Sequence, residues 1–310
     1  PKGFKASGVH CGIRKNKEKK DLALIYSMKR ANAAAIYTKN LVKGAPLIVT
    51  KEHLADGKAQ AIICNSGNAN NCNPDGVKIA SSMCSLLAEE LAVSPEDVIV
   101  ASTGVIGRRL DIKPIKDAMP CLVKGLAEKS APAAEAIMTT DTRIKEAAVS
   151  FDIGGRECRI GGIAKGSGMI NPNMATMLAF LTTDCSISSP MLQKALQEDA
   201  EDTFNMISVD GDTSTNDMAA ILANGLAGNQ EITEENEDFY KFKQALNMVT
   251  AALSRMIAAD GEGATKLLEC KVSGAKTQSD ARKAAKAVVD SSLLKAAMFG
   301  SDPNWGRIMS

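Results

Sequence analysis

The sequence contains few histidines that could serve as the general base of a hydrolase or transferase. Its histidines are His10 and His53, and neither lies in a pattern typical of a Ser-His-Asp or Cys-His arrangement. A threonine that begins a chain needs no histidine, because its α-amino group has a pKa of about 7.7–8.0 and lies within reach of its own hydroxyl. Thr176 is the candidate, since it stands where a glycine-rich loop becomes an apolar strand in the stretch 164–180 (AKGSGMINPNMATMLAF).

An internal threonine becomes terminal when its hydroxyl attacks the preceding carbonyl and the resulting ester is hydrolysed. The residue before Thr176 is Ala175, whose small side chain leaves that carbonyl open to attack. Pro172 fixes its own φ and restricts Asn171, which favours a defined loop at this point. The residues alone leave a second interpretation open, in which Thr176 is an ordinary residue at a loop-to-strand junction.

Other chemistry is less well supported by the sequence. The run Lys165-Gly-Ser-Gly has the letters of a phosphate-binding loop in the wrong order. The stretch Asp210–Asp217 resembles a calcium loop, but the sixth position is Thr215 and the twelfth is Ile221, so we interpret it as a polar, hydrogen-bonded loop. The cysteines are scattered singly, and we therefore predict no metal site.

Composition limits the class of partner. The 310 residues include 37 Lys and Arg against 36 Asp and Glu, and no basic block is interleaved with aromatic residues, which argues against nucleic-acid binding. We expect small-molecule substrates. The sequence has no run of 18 or more apolar residues and no recognisable leader, so we predict a cytoplasmic protein without a membrane segment.

The hydrophobic patterns predict a mixture of helices and strands, and hence an α+β fold. Short β-like runs are at 60–64, 97–102, 177–183, 220–223 and 267–272. Helical spacing of apolar residues predicts helices over 77–91, 189–207, 236–259 and 280–299. The acidic run 198–202 is expected on the solvated face of the second of these helices, and the last two helices are expected to carry core stripes.

The loop and strand around Thr176 resemble the self-cleavage motif of the glutamate N-acetyltransferases of arginine biosynthesis, also called ornithine acetyltransferases. The motif is Lys165-Gly-Ser-Gly-Met-Ile-x-Pro-Asn-Met-Ala-Thr-Met-Leu178. Supporting segments of the same family follow one another along the chain at 64–70 (CNSGNAN), 102–107 (STGVIG), 138–142 (MTTDT), 208–217 (SVDGDTSTND), 260–266 (DGEGATK) and 302–307 (DPNWGR).

The resemblance implies cleavage between Ala175 and Thr176. The products would be an α chain of residues 1–175 and a β chain of residues 176–310, which assemble as an α2β2 heterotetramer. It also implies an αββα-type sandwich with a smaller α/β C-terminal part. Family members continue beyond the point reached three residues after Arg307, so we expect the C-terminal part to be truncated here and further substrate-binding residues to be missing.

By the same resemblance, the reaction moves an acetyl group from N-acetylornithine to glutamate through an acetyl ester on Thr176, with ping-pong kinetics. No cofactor is expected, although some members also accept acetyl-CoA as a co-substrate. A different class remains as the alternative, namely a self-processing N-terminal-nucleophile amidohydrolase or aminopeptidase that passes the acyl group to water.

The resemblance assigns Thr176 as nucleophile and as a substrate contact. Thr103 and Gly104 match its oxyanion-hole positions, where a hydroxyl and a backbone N–H stabilise the tetrahedral oxygen. From the residues alone, Ser-Thr-Gly could equally be a tight turn at the end of a strand.

The remaining positions implied by the resemblance are substrate contacts. Lys165 matches one, and its charge would lower the pKa of the new α-amine and keep that amine neutral. Glu262 matches another and could pair with the amino group of a substrate. A solvated loop lysine and a turn glutamate are the alternatives. Thr139 and Thr142 both lie in the contact segment, and Thr139 is the first choice.

Overall fold

The computed structural model describes residues 1–171 and 177–310. The strands, in chain order, are β1 (Phe4–Val9), β2 (Leu22–Tyr37), β3 (Lys58–Asn65), β4 (Val98–Ser102), β5 (Lys145–Ile153), β6 (Arg156–Lys165), β7 (Leu178–Thr183) and β8 (Met218–Ala223). The helices are α1 (Ala45–His53), α2 (Gly76–Leu91), α3 (Ile112–Lys124), α4 (Ala131–Ile137), α5 (Ser189–Asp202), α6 (Glu237–Ala259), α7 (Gln278–Asp290), α8 (Ser292–Phe299) and α9 (Gly306–Met309).

The strands are hydrogen-bonded in the order β4-β3-β2-β8-β7-β6-β5, and β1 pairs with β2. β2 joins the two halves of this order, because its first part pairs with β1 and β3 and its second part pairs with β8. Its pairing with β3 shifts register between Tyr26 and Ala31. Such an irregularity bends a strand and increases its twist, so one long strand can serve both halves.

Buried apolar residues form three clusters that define the layers. One lies between the two halves of the sheet and includes Ile62, Ile99, Phe180 and Leu222. A second packs α5 and α6 against β5 to β8 through residues that include Leu192, Leu196, Phe242 and Leu253. The third packs α2 and α3 against the other half through residues that include Met83, Leu87, Ile115 and Leu122. The order helix, sheet, sheet, helix is the predicted αββα sandwich.

Most predicted elements are confirmed, with boundaries that move by a few residues. α2 covers the sheet as its apolar spacing predicts, and Glu89 and Glu90 are exposed. α6 begins after Asn236, whose side chain accepts a hydrogen bond from the Phe239 N–H at 3.1 Å. Within the described ranges, no helix has both the length and the apolar composition that a membrane crossing needs.

A single helix is predicted over 280–299, and this prediction is wrong because the structure has two helices there. α7 ends at Asp290, Ser291 is extended, and its hydroxyl accepts a hydrogen bond from the Leu294 N–H at 3.2 Å to begin α8. The predicted core stripe is also wrong in part, because Ala284 and Met298 are exposed. The apolar residues keep their helical spacing on both sides of Ser291, so their periodicity alone does not reveal that the helix breaks there.

The strand predicted at 267–272 is also wrong, since this segment is irregular. A strand needs a neighbouring edge, and side chains tie this part of the chain to helices instead. Arg255 Nη1 of α6 lies 2.5 Å from Glu269 Oε2, and Lys266 Nζ donates to the Met298 carbonyl oxygen of α8 at 2.6 Å. The C-terminal part is helical where a smaller α/β unit was expected.

The helix predicted over 189–207 ends at Asp202 and is followed by a single 3₁₀ turn, Phe204–Met206. Its acidic run is solvated except for Asp199, which is 4% exposed and faces α6. Asp199 accepts hydrogen bonds from Thr250 Oγ1 at 2.6 Å and from Asn247 Nδ2 at 2.8 Å. Neutral donors on α6 therefore make the burial of this carboxyl tolerable.

Candidate active site

A cleft of about 590 Å³ opens where several strand ends meet, and this volume lies in the range of small-molecule sites. β4 and β6 end at its wall, and β7 and β8 begin there. Its lining includes Arg14, Gly67, Thr103, Gly104, Thr139, Thr140, Lys165, Gly168, Met169, Met177, Asp210, Asp212, Asn216, Asp217 and Glu262. The structure therefore brings together five predicted site residues from four separate parts of the chain, namely Thr103, Gly104, Thr139, Lys165 and Glu262.

Thr103 and Gly104 form a tight turn after β4 that faces the cleft. The Thr103 N–H donates to the Asn65 carbonyl oxygen at 3.0 Å, which extends the parallel pairing of β3 and β4 by one residue. Gly104 has a φ of +131°, and a Cβ there would lie 2.4 Å from the carbonyl carbon of Gly67. Only glycine fits this close approach. The turn interpretation holds, and the oxyanion role stays a prediction.

Asparagine side chains fix the position of this turn. Asn65 Nδ2 donates to the Asn68 carbonyl oxygen at 2.8 Å, and its Oδ1 accepts a hydrogen bond from Ser102 Oγ at 2.6 Å. Asn216, just before β8, donates through Nδ2 to the carbonyl oxygens of Ala69 at 2.6 Å and Ser102 at 3.0 Å. The loops after β3 and β4 are thereby tied to the start of β8.

Lys165 is the last residue of β6 and is 8% exposed, which excludes the solvated loop lysine considered from the sequence. Its Nζ donates to Thr103 Oγ1 at 3.3 Å. Burial lowers the pKa of Lys165, while the charges of Asp141 and Asp217 act in the opposite direction. A buried lysine thus stands beside the hydroxyl that is predicted to stabilise the oxyanion.

The two threonines of the 138–142 segment have different surroundings. Thr139 lines the cleft, and its N–H donates to Asp141 Oδ2 at 2.9 Å. Thr142 is not among the cleft-lining residues, and its N–H donates to Asp260 Oδ2 at 3.1 Å, while its hydroxyl donates to the other oxygen of that carboxylate. Thr139 therefore lies at the cleft, whereas Thr142 is a hydrogen-bond partner of Asp260, and the substrate contact stays a prediction.

Behind this segment lies a buried ionic group that we call the Lys145 cluster, composed of Lys145, Asp141, Asp260 and Thr142. Lys145 is fully buried, and its Nζ lies 2.7 Å from Asp141 Oδ1 and 2.5 Å from Asp260 Oδ2. Asp141 Oδ1 also accepts a hydrogen bond from the Gly166 N–H at 2.7 Å. The cluster therefore connects the loop after β6 to the end of α6.

Glu262 is exposed in the turn after α6 and reaches over the loop that follows β6. Its N–H donates to the Ser167 carbonyl oxygen at 2.9 Å, and Ser167 Oγ donates to the Asp260 carbonyl oxygen at 2.6 Å. A Cβ at Gly168 would lie 2.3 Å from Glu262 Oε1, so the carboxylate rests against that glycine. The glutamate is in a turn, as one alternative supposed, and the turn borders the cleft.

The 210–217 stretch is the polar, hydrogen-bonded loop that the sequence predicts. The carboxylate of Asp210 accepts hydrogen bonds from the N–H groups of Met169 at 2.5 Å and Ile170 at 2.9 Å. Across the described ranges, no three His, Cys, Asp or Glu side chains are grouped so that they could hold a metal ion.

The sequence reasoning did not single out Arg14, Asn216 or Asp217, which also line the cleft. Asn216 and Asp217 stand at the end of the quoted 208–217 segment, which could have drawn attention to them. Arg14 had no such signal. Ala175 and Thr176, the predicted cleavage pair, lie outside the described residues, whereas Met177, which follows them, lines the cleft and is buried.

Comparison with known proteins decides the family. Residues 5–310 match the ArgJ family, over nearly the whole chain. The chain belongs to the ArgJ family. Similar curated relatives include the arginine biosynthesis bifunctional protein ArgJ of Caldanaerobacter subterraneus subsp. tengcongensis, which is 51% identical over 312 residues that cover 100% of this chain and 77% of the relative.

Two solved structures are similar as well. The arginine biosynthesis bifunctional protein of Bacillus halodurans aligns with a TM-score of 0.52 and 40% identity, over 56% of this chain and 92% of the solved chain. The ornithine acetyltransferase of Mycobacterium tuberculosis, solved in complex with ornithine, aligns with a TM-score of 0.52 and 34% identity, over 56% of this chain and 94% of the solved chain. The family predicted from the motifs is confirmed.

Proposed function

We propose that this ArgJ-family chain is a glutamate N-acetyltransferase of arginine biosynthesis, which transfers acetyl from N-acetylornithine to glutamate. The observation that carries the proposal is the convergence of Thr103, Gly104, Lys165 and Glu262 in one cleft that Met177 also lines. Family membership and the names of its relatives give the reaction class. The hydrolase alternative is not favoured, because the curated relatives at about half identity are ArgJ proteins.

The chemistry begins with self-cleavage between Ala175 and Thr176, which gives chains of residues 1–175 and 176–310. The extent of the structural match is consistent with this division, since the solved Bacillus halodurans chain aligns with 56% of this chain, which is about 174 of its 310 residues. Strand pairing would hold the products together, because β6 pairs with β7 and β2 pairs with β8 across the cleavage point. Assembly into an α2β2 heterotetramer in the cytoplasm is part of the proposal.

Acetyl transfer then follows in two steps. The Thr176 hydroxyl oxygen attacks the acetyl carbonyl carbon of N-acetylornithine while the α-amine of Thr176 takes the hydroxyl proton. The Thr103 hydroxyl and the Gly104 N–H stabilise the oxyanion, the C–N bond breaks, and the proton passes to the leaving amine of ornithine. The amine of glutamate attacks the resulting ester, and the proton it loses returns through the α-amine to the hydroxyl of Thr176.

The cleft residues would divide the work of substrate binding. Lys165, whose Nζ donates to Thr103 Oγ1, would keep the new α-amine neutral by its charge. Glu262 and Thr139 both line the cleft, where Glu262 would receive a substrate ammonium group and Thr139 would contact the substrate beside Asp141. No cofactor is required by this scheme. Acetyl-CoA is proposed as a second acetyl donor that would use the same ester.

The test uses N-acetylornithine with a labelled acetyl group. Purified protein should transfer the label to glutamate faster than to water, and intact-mass analysis should show two chains. Thr176→Ala should abolish both the split and the transfer, whereas Thr176→Ser keeps a hydroxyl and should retain both at a reduced rate. Transfer by an uncleaved Thr176→Ala protein would overturn the proposal, and label passing only to water would replace it with the hydrolase.

A further inference from the structure

An arginine that the proposed mechanism does not use lies in the wall of the cleft. Arg14 is half-buried and lines the cleft together with Gly67 and Thr139. Its guanidinium donates through Nη2 to the Met138 carbonyl oxygen. An arginine side chain has five N–H donors, and this hydrogen bond uses one of them on a neutral acceptor. The remaining donors and the positive charge are therefore available to an anion that enters the cleft.

A buried carboxylate fixes the backbone that carries this arginine. Asp21, just before β2, is fully buried, and its Oδ2 accepts hydrogen bonds from the N–H groups of Arg14 at 2.8 Å and Gly12 at 3.3 Å. The other oxygen, Oδ1, accepts a hydrogen bond from the Cys11 N–H at 2.5 Å. The loop 11–14 is thus tied to the sheet, and a binding group on it is ordered before any ligand arrives.

The stem of the side chain packs against a glycine of the cleft wall. Gly67 has a φ of +91°, and a Cβ there would lie 2.9 Å from Arg14 Cγ. The side chain therefore passes over Gly67 and reaches the carbonyl of Met138, which immediately precedes Thr139. The guanidinium is held next to the segment that the family resemblance assigns to substrate contact.

The carboxylates whose charges act on Arg14 already have other donors. Asp141 accepts hydrogen bonds from Lys145 Nζ at 2.7 Å and from the Thr139 N–H at 2.9 Å, and Asp21 is held by the backbone N–H groups of the loop 11–14. Burial lowers the pKa of Arg14, while the charges of Asp21 and Asp141 oppose that change. An arginine nevertheless stays protonated in proteins. In the part of the chain that the structure describes, the guanidinium thus donates to a carbonyl and to no carboxylate.

The two substrates of the proposed reaction share one anionic group. N-acetylornithine and glutamate both carry an α-carboxylate, whereas their side chains end in an ammonium and in a carboxylate, respectively. Of the described residues that line the cleft, Arg14 and Lys165 are the cations, and Lys165 is next to Thr103 at the proposed oxyanion hole. The planar guanidinium of an arginine matches a carboxylate with two parallel hydrogen bonds, which a lysine cannot make.

We propose that Arg14 is a specificity-determining residue that binds the α-carboxylate shared by N-acetylornithine and glutamate. The inference rests on the proposed function, which supplies these two substrates. The α-carboxylate and the nitrogen that carries or receives the acetyl group are bonded to the same carbon atom. An arginine that fixes the carboxylate therefore also places that nitrogen, and it does so for both substrates in turn. No bond to Arg14 is made or broken.

The test compares N-acetylornithine with its α-carboxamide, which lacks the negative charge. The wild-type kcat/KM should favour the carboxylate by about 10- to 100-fold, as expected for hydrogen bonds between charged groups. Arg14→Gln keeps an N–H donor and removes the charge. We expect it to raise KM for N-acetylornithine by about 10- to 100-fold with little change in kcat, and to bring the ratio of the two kcat/KM values to about 1. KM for glutamate should rise by a similar factor.

Two further variants separate the charge, the shape and the stability of the protein. Arg14→Lys keeps the charge without the planar fork, so its carboxylate preference should lie between those of the wild type and Arg14→Gln. Arg30→Gln is the matched control, because Arg30 is a partly exposed arginine that pairs with Asp56 and Asp97 and is not among the residues that line the cleft. It should leave the preference unchanged even if it lowers stability.

A fall in kcat/KM by the same factor for the carboxylate and the carboxamide in Arg14→Gln would show a purely structural role and overturn the inference. A rise in KM confined to glutamate would also overturn it, since Arg14 would then bind the side-chain carboxylate. If Arg14→Gln does not fold, Arg14→Lys carries the test, and an undiminished preference in that variant contradicts the inference.

Calorimetric binding of ornithine and of ornithinamide gives a readout that needs no acetyl transfer. A protein that transfers no acetyl group but binds ornithine more tightly than ornithinamide, with a preference that Arg14→Gln removes, contradicts the proposed function and supports the role of Arg14. Equal affinity of the wild type for the two ligands, or binding of neither, contradicts the role of Arg14.

Discussion

Two buried groups of charged side chains lie beside the cleft, and they differ in how fully their polar atoms are hydrogen-bonded. In the Lys145 cluster each carboxylate oxygen has a donor, from Lys145, Thr142, Thr139 or Gly166. In the second set, Lys165 reaches only a hydroxyl at 3.3 Å, and Asp217 keeps an oxygen without a partner among the described residues. The first arrangement links the loop after β6 to the end of α6, whereas we expect the second to bind a polar group of the substrate.

The pKa values of one carboxyl from each group, Asp141 and Asp217, shift in opposite directions. Burial alone would raise the pKa of Asp141, but the charges of Lys165 and Lys145 and the hydrogen bonds it accepts hold it below its usual range. Burial dominates at Asp217 and raises its pKa. A fully paired carboxylate is easier to ionise, and an incompletely paired one is harder to ionise. Two carboxyls at similar depth therefore differ because of their partners.

The largest effect on stability is expected from breaking the Lys145 cluster. Lys145→Met leaves Asp141 and Asp260 buried without their cation, which should lower the free energy of unfolding by about 3–5 kcal/mol. Urea unfolding measures this. Lys113→Met is the matched control, because Lys113 pairs with Asp117 on the surface and its loss should change nothing measurable. A similar small effect at both positions would remove the structural role of the cluster.

The second set should control rate more than stability. Thr103→Ala removes one proposed oxyanion donor, and kcat for acetyl transfer should fall roughly 100- to 1,000-fold with the affinity for N-acetylornithine nearly unchanged. Steady-state kinetics with both substrates measures it. A large rise in KM with unchanged kcat would instead make Thr103 a ground-state substrate contact.

Stability should respond to pH in opposite ways at the two carboxyls. The lowered pKa of Asp141 gives stability that is present above the unfolded pKa of about 3.9 and is lost as pH falls through the folded pKa. The raised pKa of Asp217 makes stability fall as pH rises above about 3.9 towards its folded pKa.

Urea unfolding of Asp141→Asn and Asp217→Asn tests this contrast in the uncleaved Thr176→Ala background, where no amine is present. Asp141→Asn should lose stability at neutral pH and match its parent in acid. Asp217→Asn should gain stability relative to its parent as pH rises. The same pH trend in both variants would show that partners do not distinguish these carboxyls.

The smallest effects separate the two threonines. Thr142→Val removes a hydroxyl that donates to Asp260 and should cost about 1.5 kcal/mol of stability without changing KM. Thr139→Val should raise KM for N-acetylornithine with little effect on unfolding, because Thr139 lines the cleft. The reverse pattern would restore Thr142 as the substrate contact.

Much of this arrangement could be predicted from the sequence, because chemistry-bearing residues stand next to short strands. The end of β4 could be placed from the apolar run at 97–102, and with it Thr103, whereas β6 was not predicted and Lys165 was assigned by the family resemblance. The sequence ranks Thr139 before Thr142, but the contact that separates the two residues is made by Asp260, which is more than 100 residues away along the chain. Asp217 looked like one more polar loop residue, because its burial and its free oxygen arise only from packing.

Errors in the fold had similar causes. The segment 267–272 has a β-like sequence, but strand pairing depends on a distant edge that the segment itself does not encode. The break between α7 and α8 lies at one serine, and the apolar spacing on either side continues in phase. Local patterns predict which elements can form, whereas tertiary contacts decide which of them do.

The central claim is that Thr176 is a terminal residue that carries the acetyl group. The most direct measurement is peptide mass analysis of protein incubated with N-acetylornithine and no glutamate. We predict an acetylated peptide that begins at Thr176 and loses its acetyl group when glutamate is added. An acetyl group found only elsewhere, or a fully active chain that remains intact through 175–176, would contradict the account.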